Sequence, residues 1–265
     1  MTIRVIVAGV TGWTGSALAK GVLAAKDMKL VGAVSRQTAG QDIGAALGEA
    51  PVGVKVSASL KEALAAPCDV VVDYTAPSIV RAHALMAIAK GVAFVVGTSG
   101  LTARDYAKID AAAKAKGVGV FAAGNFSITA TLLAKFAVMA AKYVADVEVI
   151  DYASASKPDV PSGTARELAE RLSAVRKPAT AKRIDTLEGP IETRGATIGK
   201  VQVHSLRLPS FVISCEAIFG APDERLVIRH DAGSSAQPYV AGTLLAIRRV
   251  REVKGLRRGL DQLLD

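Results

Sequence analysis

The sequence has 265 residues, 51% of them hydrophobic, which is enough apolar side chain for one large core or two modest ones. Its two cysteines lie far apart and its three histidines are not clustered, which argues against a disulfide framework and against a metal site. The formal net charge is +9, but only 5% of the residues are aromatic and the basic ones are scattered, so we expect a small anionic ligand and no nucleic acid.

The N-terminal residues MTIRVIV run straight into a strand-like pattern, without the layout of a signal peptide. No stretch of the chain approaches the ~20 consecutive apolar residues of a membrane span. We therefore expect no membrane partner, and a cytoplasmic location in which both cysteines stay reduced.

The first predicted strand covers residues 3–8, and a glycine-rich turn and a helical stretch over residues 16–25 follow it. The turn has the spacing GxxGxxG, and the order strand, glycine turn, helix is typical of dinucleotide binding. Gly9 would form the tight turn, Gly12 would let the backbone approach a pyrophosphate, and Gly15 would let the helix pack closely on the strand. The predicted phosphate-binding residues are Gly9, Thr11, Gly12, Trp13, Thr14 and Gly15.

The second predicted strand, residues 30–34, ends at Ser35 and Arg36. An acidic side chain at this place would bind the ribose 2′-hydroxyl of NAD, whereas a hydroxyl and an arginine favour the 2′-phosphate of NADP. We therefore predict a preference for NADPH, with NADH as a further possibility. The alternative is that Arg36 is an ordinary solvated loop residue.

Further strands are predicted at residues 68–75, 91–96 and 117–122, with helices over residues 77–90 and 101–116 between them. This alternation predicts an α/β fold, a Rossmann-like doubly wound parallel sheet. The carboxyl ends of parallel strands line the crevice in which such sheets bind ligands. The polar, glycine and aromatic residues at these ends are the next candidates: Tyr74, Thr75, Gly97, Thr98, Ser99, Gly124, Asn125 and Phe126.

The pattern changes after a long apolar helix over residues 128–143. Strands predicted at residues 147–152, 201–208, 211–220 and 224–231, with one crossover helix, indicate a second, mainly antiparallel α+β domain. Its open sheet needs a cover, most simply another subunit. The helix predicted over residues 240–250 would return the chain to the first domain.

The segment KPDVPSGTA, residues 157–165, is the best candidate for the chemistry. Its prolines restrict the loop, and Ser162, Gly163 and Thr164 begin a helix whose free N–H groups and dipole favour a carboxylate or phosphate. Lys157 could add a full positive charge and a proton. An ordinary capped helix after a Pro-containing turn is the alternative.

Five motifs, GVTGWTG, DYTAPS, GTSGL, AGNFSI and KPDVPSGTA, occur in the order typical of bacterial dihydrodipicolinate reductases (4-hydroxy-tetrahydrodipicolinate reductases) of lysine biosynthesis, which the chain resembles. The segments VHSLRLP and IFGAPDERLVIRHDA extend the resemblance to nearly the whole chain. The resemblance implies a dinucleotide-binding domain at residues 1–125 and 235–265 and a substrate-binding and tetramerisation domain at residues 126–234. It also implies a homotetramer that transfers hydride from NAD(P)H to a cyclic imine or enamine dicarboxylate of the diaminopimelate route.

Individual roles follow from the same resemblance. The three glycines of the turn would bind the pyrophosphate and Arg36 the ribose phosphate. The nicotinamide pocket would be lined by Gly97, Thr98, Asn125 and Phe126. Residues 162–164 would clamp a substrate carboxylate, and Lys157 would donate the proton or orient the substrate by its charge.

The chain departs from the family at one place. The family pattern E-x-H-H-x-x-K has two histidines credited with protonation and substrate binding, and these positions hold Ala153 and Ser154. Ser154 stays a candidate for substrate binding, but neither side chain titrates near neutrality. Tyr152, His204 or His230 could supply a replacement acid, although packing or hydrogen bonding within a strand suits each of them equally.

Three interpretations remain open at this point. The protein could be a working reductase that relies on Lys157 or water for the proton, or a reductase of a different imine or carbonyl substrate. It could also be a catalytically silent sensor that binds NADPH. The residues alone do not identify the natural substrate, the proton donor or the assembly state.

Overall fold

The computed structural model describes residues 2–178 and 182–264, which form two compact units. The chain passes from the first unit to the second between Ile128 and Thr129, and it returns to the first between Ser235 and Ala236. No helix of the described residues is long and apolar enough to cross a membrane.

The strands and helices of the described residues agree in order and type with most of the predicted elements. In chain order the strands are β1 (Ile3–Ala8), β2 (Met28–Val34), β3 (Val56–Ser57), β4 (Val70–Asp73), β5 (Ala93–Val96), β6 (Gly119–Ala122), β7 (Asp146–Ala153), β8 (Ala196–Ile198), β9 (Val201–Arg207), β10 (Ile213–Ala221), β11 (Glu224–Ala232) and β12 (Gly255–Arg258). The helices are α1 (Trp13–Ala24), α2 (Ile43–Ala46), α3 (Leu60–Ala63), α4 (Pro77–Ala89), α5 (Ala103–Lys116), α6 (Ile128–Ala140), α7 (Gly163–Val175) and α8 (Gln237–Arg249).

The first unit contains a parallel sheet whose strand order is β12-β6-β5-β4-β1-β2-β3. Strands β4, β5 and β6 are buried along their whole length and, apart from the terminal Asp73 of β4, apolar, because helices cover both faces of a parallel sheet. The strand order reverses between β1 and β4, so the carboxyl ends of these two strands form the switch point at which such sheets bind ligands. The predicted Rossmann-like fold is confirmed.

Local sequence explains where the helices begin and end. Helix α5 begins after Thr102, which forms a capping box with Asp105, and it ends at Gly117 in the left-handed conformation with φ of 65°. Helix α4 has Pro77 in its first turn, where a missing N–H does no harm. Helix α1 begins at Trp13, three residues earlier than predicted, because Gly12 is the extended N-cap residue.

The second unit contains a mixed sheet with the strand order β11-β10-β7-β9-β8. Only β7 and β9 pair in parallel among the strands of this sheet, and helix α7 is the crossover that such a pair requires. Apolar residues of α6 and α7, such as Leu133, Leu168 and Leu172, pack with Val149 and Phe219 of the sheet. Strand β7 alternates between this covered face and an open one.

Candidate functional site

The glycine turn after β1 has the close contacts that its spacing predicted. Gly9 has a φ of +80°, and a Cβ atom there would lie 2.4 Å from the carbonyl oxygen of Tyr74. A Cβ atom on Gly15 would lie 2.0 Å from the carbonyl oxygen of Gly9. Because both obstacles are backbone atoms, neither position can hold a side chain without moving the strand or the helix.

Gly12 differs from Gly9 and Gly15, since a Cβ atom at Gly12 would meet only the Gly9 carbonyl oxygen, at 3.2 Å. As the N-cap of α1 it provides no capping side chain, and the first turn has no acidic residue. The N–H groups of that turn are therefore left to an external acceptor, as a pyrophosphate requires. Trp13 is 57% exposed, and its ring meets Tyr239 edge to face with centroids 5.7 Å apart.

The end of β2 is hydrogen-bonded to the glycine turn, since the amides of Gly9 (3.0 Å) and Val10 (3.2 Å) both donate to the carbonyl oxygen of Val34. The hydroxyl oxygens of Thr11 and Ser35 are 2.9 Å apart, and Ser35 is buried. Arg36 is exposed and forms no ion pair with any described residue. No acidic residue stands at this strand end, so the charge next to the turn is positive.

Asp73, the last residue of β4, is the centre of a buried network that the sequence analysis missed. Its Oδ1 accepts hydrogen bonds from the Thr75 amide (2.8 Å) and hydroxyl (2.6 Å) and from the Thr98 hydroxyl (3.2 Å). Its Oδ2 lies 2.7 Å from Nδ1 of His83 on α4. An acidic residue at the end of a fully buried apolar strand was the one available signal.

The Tyr74 side chain packs against the loops after β5 and β6 and against helix α8. A Cβ atom on Gly97 would lie 2.3 Å from the Tyr74 ring, so this loop position also needs glycine. The Tyr74 hydroxyl is 2.7 Å from that of Thr243, and burial raises the pKa of the phenol above its ordinary value. The ring of Phe126 meets the Tyr74 ring at 6.2 Å. Both rings are therefore packed within the first unit, and the cofactor-binding role of Tyr74 and Phe126 stays a prediction.

The remaining predicted residues of this edge differ in exposure. Ser99 and Gly124 are exposed, and Thr14 is half-buried. Asn125 is half-buried, and its side-chain oxygen accepts a hydrogen bond from the Ser127 amide at 2.8 Å, which gives the loop after β6 a defined turn. The described part of the first unit thus brings the predicted residues of the loops after β1, β2, β4, β5 and β6 to one edge of its sheet.

In the second unit, Ser162 is the N-cap of α7. Its Oγ accepts a hydrogen bond from the Ala165 amide at 3.3 Å, and the hydroxyl can still donate one. Gly163 is exposed, and a Cβ atom there would meet nothing within 4 Å. Thr164 is half-buried. The start of α7 therefore has open space in front of a capped first turn, which suits an anionic ligand.

A buried ion pair that the sequence analysis also missed holds this helix start. Asp151 of β7 is fully buried, and its Oδ2 accepts hydrogen bonds from the Ser162 amide (2.9 Å), the Ser205 hydroxyl (3.2 Å) and Nη2 of Arg207 (2.8 Å). The same Nη2 donates to the carbonyl oxygen of Asp159 at 2.7 Å. Arg207 and Asp151 thus connect the loop to the sheet at Asp159 and at Ser162. The two residues lie 56 positions apart in sequence, so no local pattern indicates the pair.

Lys157 lies beside an acidic neighbour in the same loop. Its Nζ is 2.7 Å from Oδ1 of Asp159, and only 27% of the lysine side chain is exposed. The hydrogen bond from this ammonium group lowers the pKa of Asp159. The Lys157 amide donates to the carbonyl oxygen of Ser154 at 3.0 Å, and the hydroxyls of Ser154 and Ser156 are 3.1 Å apart.

Tyr152 is directed away from the helix start. It alternates with Asp151 along β7, so the two side chains lie on opposite faces of the sheet. Its hydroxyl donates to Oε1 of Glu216 at 2.9 Å, and burial together with this carboxylate raises the pKa of the phenol. The guanidinium of Arg229 lies over the same ring, 4.7 Å from its centroid. Tyr152 is therefore a poor replacement acid.

The two histidines of this unit have side-chain partners, one on strand β7 and one on helix α6. Nε2 of His204 is 2.7 Å from Oε2 of Glu148, and Nδ1 of His230 is 3.2 Å from the hydroxyl of Thr129. Burial lowers the pKa of His230. Among the described residues, no group of three or more His, Cys, Asp or Glu side chains could hold a metal ion.

Comparison with known proteins covers both units. The family model "Dihydrodipicolinate reductase, N-terminus" matches residues 3–126, and the model "Dihydrodipicolinate reductase, C-terminus" matches residues 129–264. The 4-hydroxy-tetrahydrodipicolinate reductase of Desulfitobacterium hafniense is 39% identical over 268 residues, which are 99% of this chain and 99% of that protein. The reductase of the same name from Moorella thermoacetica is 39% identical over 266 residues, 100% of this chain and 98% of that protein.

Solved structures agree with these sequence matches. The dipicolinate-bound dihydrodipicolinate reductase from Paenisporosarcina sp. TG-14 is 32% identical, with a TM-score of 0.85 over 99% of each chain. An amine dehydrogenase from Mycobacterium smegmatis has a TM-score of 0.66 at 19% identity, covering 97% of this chain and 95% of its own, and is alike in fold alone.

Proposed function

Because this chain belongs to the dihydrodipicolinate reductase family, we propose that it reduces 4-hydroxy-tetrahydrodipicolinate to tetrahydrodipicolinate with a nicotinamide cofactor. The observation that carries the proposal is the similarity to reductases of that name over practically the whole length of both chains. The reaction belongs to lysine (diaminopimelate) biosynthesis. The cytoplasmic location inferred from the sequence stays a prediction.

The first unit has the features that a nicotinamide dinucleotide needs. The uncapped first turn of α1 and the space at Gly12 suit the pyrophosphate. Arg36 is exposed and has no ion-pair partner among residues 2–178 and 182–264, so it suits a 2′-phosphate, which supports a preference for NADPH over NADH. The cofactor, when bound, supplies the hydride.

The second unit has the features that a dicarboxylate substrate needs. The start of α7 would bind one substrate carboxylate through Ser162, Gly163 and Thr164. Lys157 would hold the proton on Nζ and deliver it to the atom that becomes basic during reduction. Asp159 forms an ion pair with that ammonium group, and a substrate carboxylate would compete for it.

A second candidate function is the reduction of a different imine or carbonyl substrate. The observation that favours it is the small size of Ala153 and Ser154, which offer no titrating group beside the loop. With Tyr152 on the opposite face of β7, Lys157 and water are the remaining donors near the loop. A catalytically silent NADPH sensor is the third candidate. Such a sensor would have no need for the start of α7, which suits a substrate carboxylate and is held by Asp151 and Arg207.

We also propose that the open sheet of the second unit is an assembly surface. Its edge strand β11 has exposed apolar side chains, Leu226 at 45% and Val227 at 51%, and an uncovered edge favours pairing with another chain. The family resemblance favours a homotetramer. Light scattering of the purified protein tests the assembly: a monomer at micromolar concentration would refute it.

The function is tested by assaying purified protein with freshly generated 4-hydroxy-tetrahydrodipicolinate and either NADPH or NADH. We expect substrate-dependent oxidation of NADPH, and a fall in kcat of about 10²–10⁴-fold in Lys157→Ala, the usual contribution of a positioned acid. Lys142→Ala, at an exposed lysine of the same unit, should leave kcat unchanged.

The outcomes separate the three candidates. Turnover of other cyclic imines, without turnover of this substrate, would support the second candidate. Tight NADPH binding without turnover of any imine would support the sensor. Undiminished activity in Lys157→Ala would remove that lysine from the chemistry.

A further inference from the structure

The short segment Asp73 to Thr75 begins the loop after β4 and contacts the loops after β1 and β5. All three loops are predicted to bind the cofactor. The carbonyl oxygen of Tyr74 lies against the turn at Gly9, and its ring lies against Gly97, each so closely that no Cβ atom would fit. The hydroxyl of Thr98 donates to the carbonyl oxygen of Asp73 at 3.2 Å. The position of this segment therefore decides where the loops after β1, β4 and β5 lie.

The segment is held by one buried carboxylate. Both oxygens of Asp73 are used: Oδ1 accepts from the Thr75 amide, the Thr75 hydroxyl and the Thr98 hydroxyl, and Oδ2 faces His83. The side chain of Asp73 has no exposed surface, so these donors replace its hydration. Hydrogen bonds to a charged acceptor are stronger than those between neutral groups. Here they connect the loops that carry Thr75 and Thr98 to Oδ1 of Asp73.

His83 secures the carboxylate from the side of α4. Because Asp73 can only accept, the Nδ1 atom of His83 must carry the hydrogen, whether the ring is neutral or charged. The histidine side chain is only 14% exposed, and the helix that carries it begins directly after the loop that Asp73 anchors. The pair thus connects the loop, the strand end and the following helix.

We propose that Asp73 is a positioning residue for the nicotinamide cofactor, and that it keeps the Thr75 and Thr98 hydroxyls at the sheet edge with His83 as its support. This inference rests on the proposed function, since it requires the cofactor to bind at these loops. It assigns roles to two residues that themselves need not touch the cofactor.

The chain offers a matched control at the opposite end of the same strand. Asp69 directly precedes β4, its side chain is 12% exposed, and it pairs with Arg4 at 2.9 Å. It too is a mostly buried carboxylate with a cationic partner, but it lies at the amino end of the strand. Loss of either carboxylate should destabilise the unit, whereas only Asp73 lies at the edge where the ligand would bind.

The test is calorimetric titration of NADPH into the full-length protein, with the thermal midpoint measured in parallel. We expect Asp73→Ala to raise the Kd of NADPH at least about tenfold, because the two threonine hydroxyls lose their shared acceptor. Asp73→Asn should bind NADPH almost as tightly as the wild type. Its amide oxygen can replace Oδ1, and the amide nitrogen can donate to Nδ1 of a neutral His83 whose hydrogen is on Nε2. Asp69→Ala should lower the thermal midpoint and leave the Kd unchanged.

Two results would overturn the inference. One is an unchanged Kd in Asp73→Ala, and the other is an equal rise in Kd in Asp69→Ala. If Asp73→Ala does not fold, His83→Ala and Thr98→Val replace it: each removes one partner of the carboxylate, and unchanged affinity in both would overturn the inference equally. A wild-type protein that binds neither NADPH nor NADH would refute the proposed function and this inference with it.

Discussion

The two loop clusters of this protein are supported in different ways. At the carboxyl edge of the first unit, loops are fitted together by close steric contact: Gly9, Gly15 and Gly97 each lie where a Cβ atom would come within 2.4 Å of another atom. At the start of α7 there is open space around Gly163, and the loop is held by the charges of Asp151 and Arg207. The first cluster requires glycine at these three positions, whereas the second requires an ion pair between two side chains.

This difference has a thermodynamic consequence. Steric fit is lost when atoms are added, whereas an ion pair is lost when atoms are removed. Each cluster also has one fully buried aspartate at its base, Asp73 in the first unit and Asp151 in the second. Separate substitutions in each unit therefore test whether the two clusters are supported differently.

The largest effect is expected from Arg207→Met. It leaves Asp151 buried without its cation, which should lower the free energy of unfolding by about 3–5 kcal/mol. It also frees the loop, so the KM for the dicarboxylate should rise while the Kd of NADPH stays unchanged. Denaturant titration and steady-state kinetics measure both. Arg183→Met, at an arginine whose side chain is 79% exposed and whose partner Asp185 is also exposed, should cost about 1 kcal/mol or less, and an equal loss in both variants would contradict the special role of Arg207.

A matched pair of glycine substitutions comes next. Gly15→Ala puts a methyl group 2.0 Å from a backbone oxygen and should destabilise the protein by about 1–3 kcal/mol and weaken NADPH binding. Gly163→Ala meets no atom within 4 Å, so the thermal midpoint should stay or rise slightly. Because its methyl group enters the space proposed for the substrate carboxylate, the substrate KM should rise. Equal destabilisation by both variants would refute the contrast between the clusters.

A smaller effect is expected from Arg36→Ala. Removing the exposed cation at the end of β2 should reduce the ratio of NADPH to NADH affinity about tenfold, the usual size of one charge-assisted hydrogen bond. Stability should not change, since the side chain has no ion-pair partner among the described residues. Titrations with both cofactors measure the ratio, with Arg104→Ala on α5 as an exposed control. An unchanged ratio would exclude Arg36 as the selector.

The smallest effect is expected from alkylating reagents. Burial raises the pKa of Cys68 to about 11 and that of Cys215 to about 12, so at pH 8 only ~0.1% or less of either thiol is the reactive thiolate. Each unit contains one of them, so mass spectrometry after alkylation in increasing urea would report which unit opens first. We expect Cys68, which is partly exposed, to react before the buried Cys215. Rapid reaction of either thiol without urea would contradict the burial.

The fold could be predicted where the local sequence pattern favours the same structure as the tertiary environment. Strand β1 is found at the predicted residues 3–8 because an apolar β-branched run ends at a glycine turn. Strands β3, β8 and β12 were not predicted, since they are short and partly exposed, and the hydrogen-bonding partners of β3 and β12 are distant in sequence. The GxxGxxG spacing indicated the glycine turn for the same local reason.

The supporting residues could not be predicted in this way. Asp73 and His83 are ten positions apart, and Asp151 and Arg207 are 56 apart, so each pair exists only after the strands and helices have assembled. Burial then decides their importance, because a carboxylate without water must be met by donors from the protein.

The order of the elements, the glycine turn, the loop that carries Lys157 and the family could all be inferred from the sequence alone. These are properties of residues close together in the chain, where φ restrictions and hydrophobic periodicity act. Only the tertiary structure decided that Tyr152 lies on the face of β7 away from the helix start, and that two buried aspartates support the two loop clusters. The physical reason is that the environment of a side chain depends on which distant segments surround it.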